Sequence, residues 1–131
     1  MAKFLTFKFK IIDNTGGALS ITSIQISEYP TPGSGQPVSA TFVQKTGYVL
    51  GSATINNIAG LPDMIKIEYT TSAGASSVIY DNVINDPNCV ETVVKAGNTY
   101  YTRKSVIILS NENGQLIATI DMVPPTYFLE D

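Results

Sequence analysis

The sequence predicts an all-β protein, an immunoglobulin-like antiparallel β-sandwich of about 7–9 strands with an extended C-terminal tail, and a partly closed barrel is the alternative. The β-branched residues Ile, Val and Thr supply 39 of the 131 residues, and such residues favour strands. Apolar and polar residues alternate with period two in several segments, and turn residues separate these segments at intervals of roughly 8–14 residues. No segment has a convincing helical periodicity, so sheets must supply the core.

The first two strands follow the N-terminus. In the first, four apolar residues, Leu5, Phe7, Phe9 and Ile11, alternate with Thr6, Lys8 and Lys10, which predicts one buried and one solvated face. The turn residues Asp13–Gly17 follow, with Asp13 expected to cap backbone N–H groups. The second strand covers Thr22–Ser27 with Thr22, Ile24 and Ile26 on one face, and we expect it to pair with the first.

The remaining strands are separated by turns and one long loop. Three prolines and two glycines make Glu28–Pro37 an exposed loop. Gly60 and Pro62 favour a turn over a helix between Asn56 and Met64. Asn111–Gly114 predicts a hairpin turn between the last two strands. The predicted strands are Val38–Lys45, Tyr48–Ile55, Met64–Thr70, Ser76–Ile84, Val90–Lys95, Tyr100–Ser110 and Gln115–Val123, which gives a sandwich domain over residues 1–123 and a C-terminal extension over 124–131.

The composition of the chain argues against catalysis and against metal or cofactor sites. The chain has no histidine and one cysteine, Cys89, so it lacks the commonest acid-base side chain and the ligands of a zinc or iron–sulfur site. We therefore predict no enzyme activity, no catalytic residue and no cofactor or metal. Cys89 is expected to be a small residue in or near the core.

The net charge argues against two classes of binding partner, and the N-terminal sequence indicates where the protein is made. The net charge is −3 and the pI about 4.8, so no basic surface is expected for nucleic acid or for an anionic membrane. Lysines interrupt the apolar residues of the N-terminus, which predicts a strand and not a signal peptide, and hence synthesis in the cytoplasm.

Two groups of residues are candidate small-ligand sites. Asp81 and Asp86 lie near three asparagines, and such an oxygen-rich cluster suggests calcium, but the spacing does not fit an EF-hand. Asp86-Pro87-Asn88 is instead interpreted as a turn at the end of a strand. A carboxylate pair of this kind would also be needed by any glycosidase-like enzyme. Tyr100 and Tyr101 with Arg103, and Tyr29 in the long loop, are weak candidates for stacking a sugar, against the simpler interpretation of a strand edge with one ring buried.

The C-terminal extension carries the candidate partner-binding residues Tyr127, Phe128 and Leu129. Pro124 and Pro125 end strand pairing, yet three large apolar side chains follow where a free tail is usually polar. Two outcomes remain open: the tail folds back over its own sandwich, or it docks as an arm on a neighbouring subunit.

Two segments carry a resemblance to a known family. The run Phe7–Leu19, followed by Ile24–Ile26, resembles the opening of carboxypeptidase-regulatory-like domains of transthyretin-like topology, in which a strand ends in Asp-x-x-Gly. The segment Ile55–Tyr69 is similar to the later Leu-Pro turn and outgoing strand of that family, although Lys45-Thr46-Gly47 stands where the family has Asp-x-x-Gly. The resemblance implies a sandwich without catalytic residues, used as a spacer, a binding module or an assembly part.

Together these features predict a non-enzymatic structural protein. The specific expectation is a virion component, such as a phage capsid decoration or auxiliary protein, that is made in the host cytoplasm and contacts copies of itself or a larger assembly. The alternative is a carbohydrate- or cell-surface-binding sandwich module on the extracellular surface, using the loop Glu28–Pro37 and exposed tyrosines.

Overall fold

A computed structural model describes residues 2–16, 20–29, 37–72, 74, 76–82 and 87–129. In this part of the chain there are ten strands and one 3₁₀ turn, Pro87–Cys89, and no α-helix. The strands are β1 (Lys3–Asn14), β2 (Ile21–Tyr29), β3 (Val38–Ser39), β4 (Thr41–Lys45), β5 (Tyr48–Asn56), β6 (Met64–Thr71), β7 (Ser76–Asn82), β8 (Val90–Lys95), β9 (Asn98–Glu112) and β10 (Gln115–Val123).

The strands form two sheets packed face to face, which confirms the predicted all-β sandwich. The large sheet has the order β10-β9-β1-β5-β4, and β8 pairs with β9 on the same side as β10. The small sheet has the order β3-β2-β6-β7. Within the described residues the two sheets therefore have four edges, formed by β4, by β8 with β10, by β3 and by β7.

The alternation of the sequence decides which side chains form the core. The buried row of β1 is the predicted one, and Ile65, Ile67 and Tyr69 of β6 face it from the small sheet. Ile107 and Leu109 of β9 belong to the same cluster. Period-two patterning therefore placed the core correctly in β1 and β6.

The pairing of β1 corrects the sequence prediction. The strand does not pair with β2, which lies in the other sheet between β3 and β6. It pairs antiparallel with β5 and parallel with β9, from Lys3 opposite Thr99 to Asn14 opposite Ser110. The large sheet is thus mixed and not wholly antiparallel, because β1 and β9 run parallel. The chain crosses from one sheet to the other after β1, so β1 and β2 lie in different sheets.

Local departures occur in β2 and in the predicted strand Val38–Lys45. Thr22 is exposed and Ile21 is buried, because the register between β2 and β6 shifts at this point. Val38–Lys45 divides into β3 and β4, which belong to different sheets, with Ala40 between them. The Ala40 N–H donates to the Ile24 carbonyl over 2.9 Å, so this segment is a corner that joins the two sheets.

The predicted turns are confirmed where the structure describes them. Asn113 and Gly114 both have positive φ, 52° and 80°, which matches a two-residue type I′ hairpin turn. The Thr15 N–H donates to Asp13 Oδ1 over 2.9 Å, as an Asx turn requires. The segment between Asn56 and Met64 is not helical. Residues 30–36 of the long loop, and residues 83–84 of the predicted strand Ser76–Ile84, lie outside the described residues.

Candidate functional site

The tail contacts its own domain. Its first residues form a turn in which the Tyr127 N–H donates to the Pro124 carbonyl over 2.9 Å. Lys104, which points outward from β9, donates through Nζ to the carbonyls of Pro125 and Tyr127 over 2.7 and 3.0 Å. The described part of the tail therefore lies on the outer face of the large sheet.

The three candidate partner-binding side chains of the tail differ in exposure. Tyr127 and Phe128 are 43 % and 60 % exposed. Leu129 is half-buried and lines a surface depression of about 400 Å³ together with Lys8, Val43 and Leu50. The tail is thus held on its own sheet by Lys104 at Pro125 and Tyr127 and by the packing of Leu129. The Tyr127 and Phe128 side chains remain on the surface.

The four predicted ligand-binding residues do not converge. Tyr100 stacks on Phe4 on the outer face of the large sheet, with centroids 5.0 Å apart and an interplanar angle of 12°. Tyr29 packs against Tyr80 of the small sheet, with centroids 4.7 Å apart. Tyr101 is half-buried against the core. Each tyrosine therefore faces a different environment.

Arg103 lies in the core and does not accompany Tyr100 at the surface, which corrects its assignment as a surface ligand-binding residue. Its side chain is 0 % exposed. Arg103 Nη2 lies 3.3 Å from Asp81 Oδ1, and Nη1 donates to the Lys104 carbonyl. The Ser105 hydroxyl donates to Asp81 Oδ2. The two strands β7 and β9 are thereby joined across the sandwich by charge and hydrogen bonds.

Asp81 lies within the predicted strand Ser76–Ile84, and both of its carboxylate oxygens have partners inside the sandwich. It lies in β7 with a buried carboxyl group, and Asp86, its predicted neighbour in the acidic cluster, lies outside the described residues. Burial raises the pKa of Asp81 above its usual 3.8, although Arg103 and the Ser105 hydrogen bond act in the opposite direction. Among the described residues no group of three or more His, Cys, Asp or Glu could hold a metal ion.

The pattern of β9 contains a signal for this buried pair. Arg103 is in phase with the buried Ser105, Ile107 and Leu109, so alternation alone places a cation in the inward row. Asp81 is likewise in phase with the buried Ile79. Two opposite charges in inward rows predict an ion pair, since a buried charge requires a partner.

A cleft between the edges of the two sheets was not predicted from the sequence. It has a volume of about 320 Å³ and lies between β7 and β10. Ser77, Val78, Ile79 and Tyr80 line one side, Leu116, Ala118 and Ile120 line the other, and Tyr69 also lines it. The hydroxyl of Tyr69 is buried and has no hydrogen-bond partner among the described residues.

Cys89 is buried at the end of the 3₁₀ turn, in keeping with the expected core position. In the described part of the chain, no helix has the length and apolar character needed to cross a membrane.

Comparisons with known proteins address the fold. No protein-family model and no curated protein matches the chain, so the resemblance to carboxypeptidase-regulatory-like domains gains no support from a family model. Among solved structures, the tip fimbrial protein Mfa3 from Porphyromonas gingivalis, with a C-terminal truncation, is similar with a TM-score of 0.50 and 12 % identity over 91 % of this chain and 51 % of that one. A protein from Eubacterium rectale, solved by NMR, has a TM-score of 0.47 and 14 % identity over 88 % of this chain and 87 % of that one. The chain spans about half the length of the fimbrial protein, and at this identity the similarity establishes a shared β-sandwich fold.

Proposed function

We propose that this protein is a non-enzymatic structural protein that joins a larger protein assembly through apolar side chains of its C-terminal tail. The observation that carries the proposal is the pair of exposed side chains, Tyr127 and Phe128, on a tail held in place by Lys104. Aromatic side chains are enriched at the centres of protein interfaces. Because the tail is already ordered on its own sheet, a partner would bind it with little further loss of conformational entropy.

The fold similarity supports a setting on the outside of a cell. The similar solved chain is described as a tip fimbrial protein. Of the two locations predicted from the sequence, virion and extracellular surface, this similarity supports the second. Neither of the two similar solved structures is described as a phage protein. A virion component therefore remains a prediction from the sequence alone.

The proposal is tested by removing the two exposed rings. In Tyr127→Ser/Phe128→Ser, Lys104 keeps both backbone acceptors, so the tail should stay in place while its apolar surface is lost. We expect wild-type protein, purified from its native source, to co-sediment with a larger assembly and the variant to remain in the monomer fraction. Val94→Ser is the matched control, because Val94 is 70 % exposed on β8 and lies outside the tail.

Two results would contradict the proposal. If wild-type protein is a monomer by light scattering at high concentration and nothing co-sediments with it in native extracts, the assembly role is wrong. If the double variant co-sediments as wild type does, the tail is not the surface used.

The carbohydrate-binding alternative rests on a separate surface. Tyr100 stacks on Phe4 and lies opposite the exposed Val93 in the pairing of β8 with β9. The three side chains form a flat apolar platform on the outer face of the large sheet, of the kind on which sugar rings stack. Binding in a glycan screen that is lost in Tyr100→Ala and kept in Phe128→Ser would favour this function.

A further inference from the structure

In the described part of the chain, the edge strand β7 lacks the usual protection against strand addition. Natural edges are commonly short or carry charged side chains that oppose pairing with another chain. β3 has two residues, and the other edges carry charges, Lys45 in β4, Glu91 and Lys95 in β8, and Asp121 in β10. In β7 the one charged residue is Asp81, whose side chain points into the core toward Arg103.

The geometry of β7 also suits a pairing partner. Its register with β6 is continuous from Thr70 opposite Ser76 to Met64 opposite Asn82, without a bulge. Among the described residues β7 pairs with β6 alone. Val78 and Tyr80 are 40 % and 44 % exposed on the outward row of this edge, so an added strand would meet apolar side chains.

The cleft beside β7 has the position of a further strand of the small sheet. Leu116, Ala118 and Ile120 alternate along β10 and line the cleft, yet Leu116 is exposed and the other two are half-buried. β7 is the last strand of the small sheet on this side, and it has few contacts with β10. The large sheet therefore extends beneath the place where an additional strand would lie.

The hydroxyl of Tyr69 is the second, independent indication of a ligand. The side chain is 1 % exposed and lines the cleft, and its hydroxyl has no partner among the described residues. A buried hydroxyl without a hydrogen bond is energetically unfavourable, and native structures rarely keep one. A backbone carbonyl or N–H group of a bound chain would satisfy it.

We propose that the cleft between β7 and β10 binds an extended, uncharged segment of a partner polypeptide, which pairs with the free edge of β7. Alternate side chains of the segment would point toward Ala118 and Ile120, so apolar residues at every second position are required. The edge of a second folded sandwich does not fit, because its own large sheet would occupy the space already filled by β10. This inference rests on the proposed function and deepens it by naming a second contact surface and the kind of segment that the surface accepts.

The test uses the full chain and a short synthetic peptide of alternating valine and threonine, with a lysine at each end for solubility and both termini blocked. We expect the NMR signals of the amides of Ser77–Tyr80 and of Leu116–Ile120 to shift on titration, and the β7 amides to exchange more slowly with solvent. The same peptide with proline at its centre cannot complete the ladder and should give no shifts.

Three variants separate strand addition from general stickiness. Val78→Lys places a charge on the outward row of β7 and should weaken peptide binding about tenfold or more, whereas Val94→Lys on β8 should bind as wild type. Tyr69→Phe keeps the ring and should weaken binding by about three- to tenfold through loss of one hydrogen bond. Ala118→Leu should fill the cleft and also weaken binding; a preserved far-UV spectrum shows that each variant is folded.

Unchanged β7 signals at saturating peptide, or shifts that Val78→Lys leaves unaffected, would overturn the inference. Its failure is distinguishable from failure of the proposed function. The tail variant Tyr127→Ser/Phe128→Ser should bind the peptide normally, and Val78→Lys keeps the tail surface intact.

Discussion

Asp81 of β7 and Arg103 of β9 form an ion pair across the two layers of the sandwich, with 3.3 Å between Oδ1 and Nη2. Both side chains are buried, and the Ser105 hydroxyl occupies the second carboxylate oxygen. The free-energy penalty of removing two charges from water offsets most of their Coulomb attraction, so such a pair adds little net stability. Its consequence is a fixed placement of β7 over β9, because either charge without the other would be strongly unfavourable.

Arg103→Met should destabilise the protein strongly at neutral pH. The variant leaves the Asp81 carboxylate buried without its cation, and breaking a buried pair in this way costs about 3–5 kcal/mol. The free energy of unfolding from urea titration at pH 7 is the measurement. Adding Asp81→Asn to the variant removes the unpaired charge and leaves an acceptor for Ser105, so the double variant should recover most of the loss. Equal stability of the single and double variants would contradict this account.

Stability should fall as pH rises through the titration of Asp81. Burial raises the pKa of Asp81 above 3.8 in the folded state, so between 3.8 and that higher pKa the folded state holds more protons than the unfolded state. The contribution of Asp81 to the free energy of unfolding is therefore fully present below pH 3.8. It is lost as the pH rises through the folded-state pKa. Urea titrations at several pH values from about 4 to about 7 should show this decrease in wild type relative to Asp81→Asn, which lacks the titrating group. A wild-type curve parallel to that of Asp81→Asn would show that the pKa is not raised.

The local part of the fold followed from the sequence, and the long-range part did not. Alternation in β1 and β6 identified which side chains are buried, and the Asn113-Gly114 turn set the β9–β10 hairpin. The parallel pairing of β1 with β9 joins residues such as Lys3 and Thr99, and no local signal specifies such a partner. The turn residues after β1 were wrongly interpreted as a hairpin connection, because a turn fixes chain direction and not the sheet that the next strand enters.

The candidate surfaces were likewise predictable from the sequence only in their local features. The apolar tail was visible in the sequence, but its anchoring depends on Lys104, which is distant from the tail in sequence and adjacent to it only in the folded sheet. The cleft depends on which strands end at the sheet edges, which is a property of topology. The sequence did contain one unused clue, since β7 is a predicted strand whose single charge is in phase with a buried isoleucine.

Gly51→Ala should destabilise the large sheet. A Cβ at Gly51 of β5 would lie 2.5 Å from Phe9 Cζ and 3.1 Å from Phe42 Cβ, and Phe9 is fully buried in the core. Because the ring cannot move aside freely, overpacking should cost about 1–3 kcal/mol in the free energy of unfolding. Gly60→Ala is the matched control, since its Cβ would meet no atom within 4 Å, and it should change stability by less than about 0.5 kcal/mol. Equal effects of the two substitutions would show that the close approach to Phe9 does not constrain this position.

Lys104→Met should release the tail while the sandwich stays folded. The substitution keeps an unbranched side chain over β9 and removes the two hydrogen bonds to the carbonyls of Pro125 and Tyr127. Hydrogen exchange at the Tyr127 amide, which bonds to the Pro124 carbonyl, should become faster. Core amides in β1 should keep their protection, because surface hydrogen bonds of this kind contribute only about 1 kcal/mol each to stability. Arg at this position keeps a donor and should retain much of the tail protection, so Lys104→Arg separates the hydrogen bond from the loss of charge. If Tyr127 exchanges at the wild-type rate in Lys104→Met, the apolar contact of Leu129 alone holds the tail on its sheet, and Leu129→Ser then becomes the substitution that frees it.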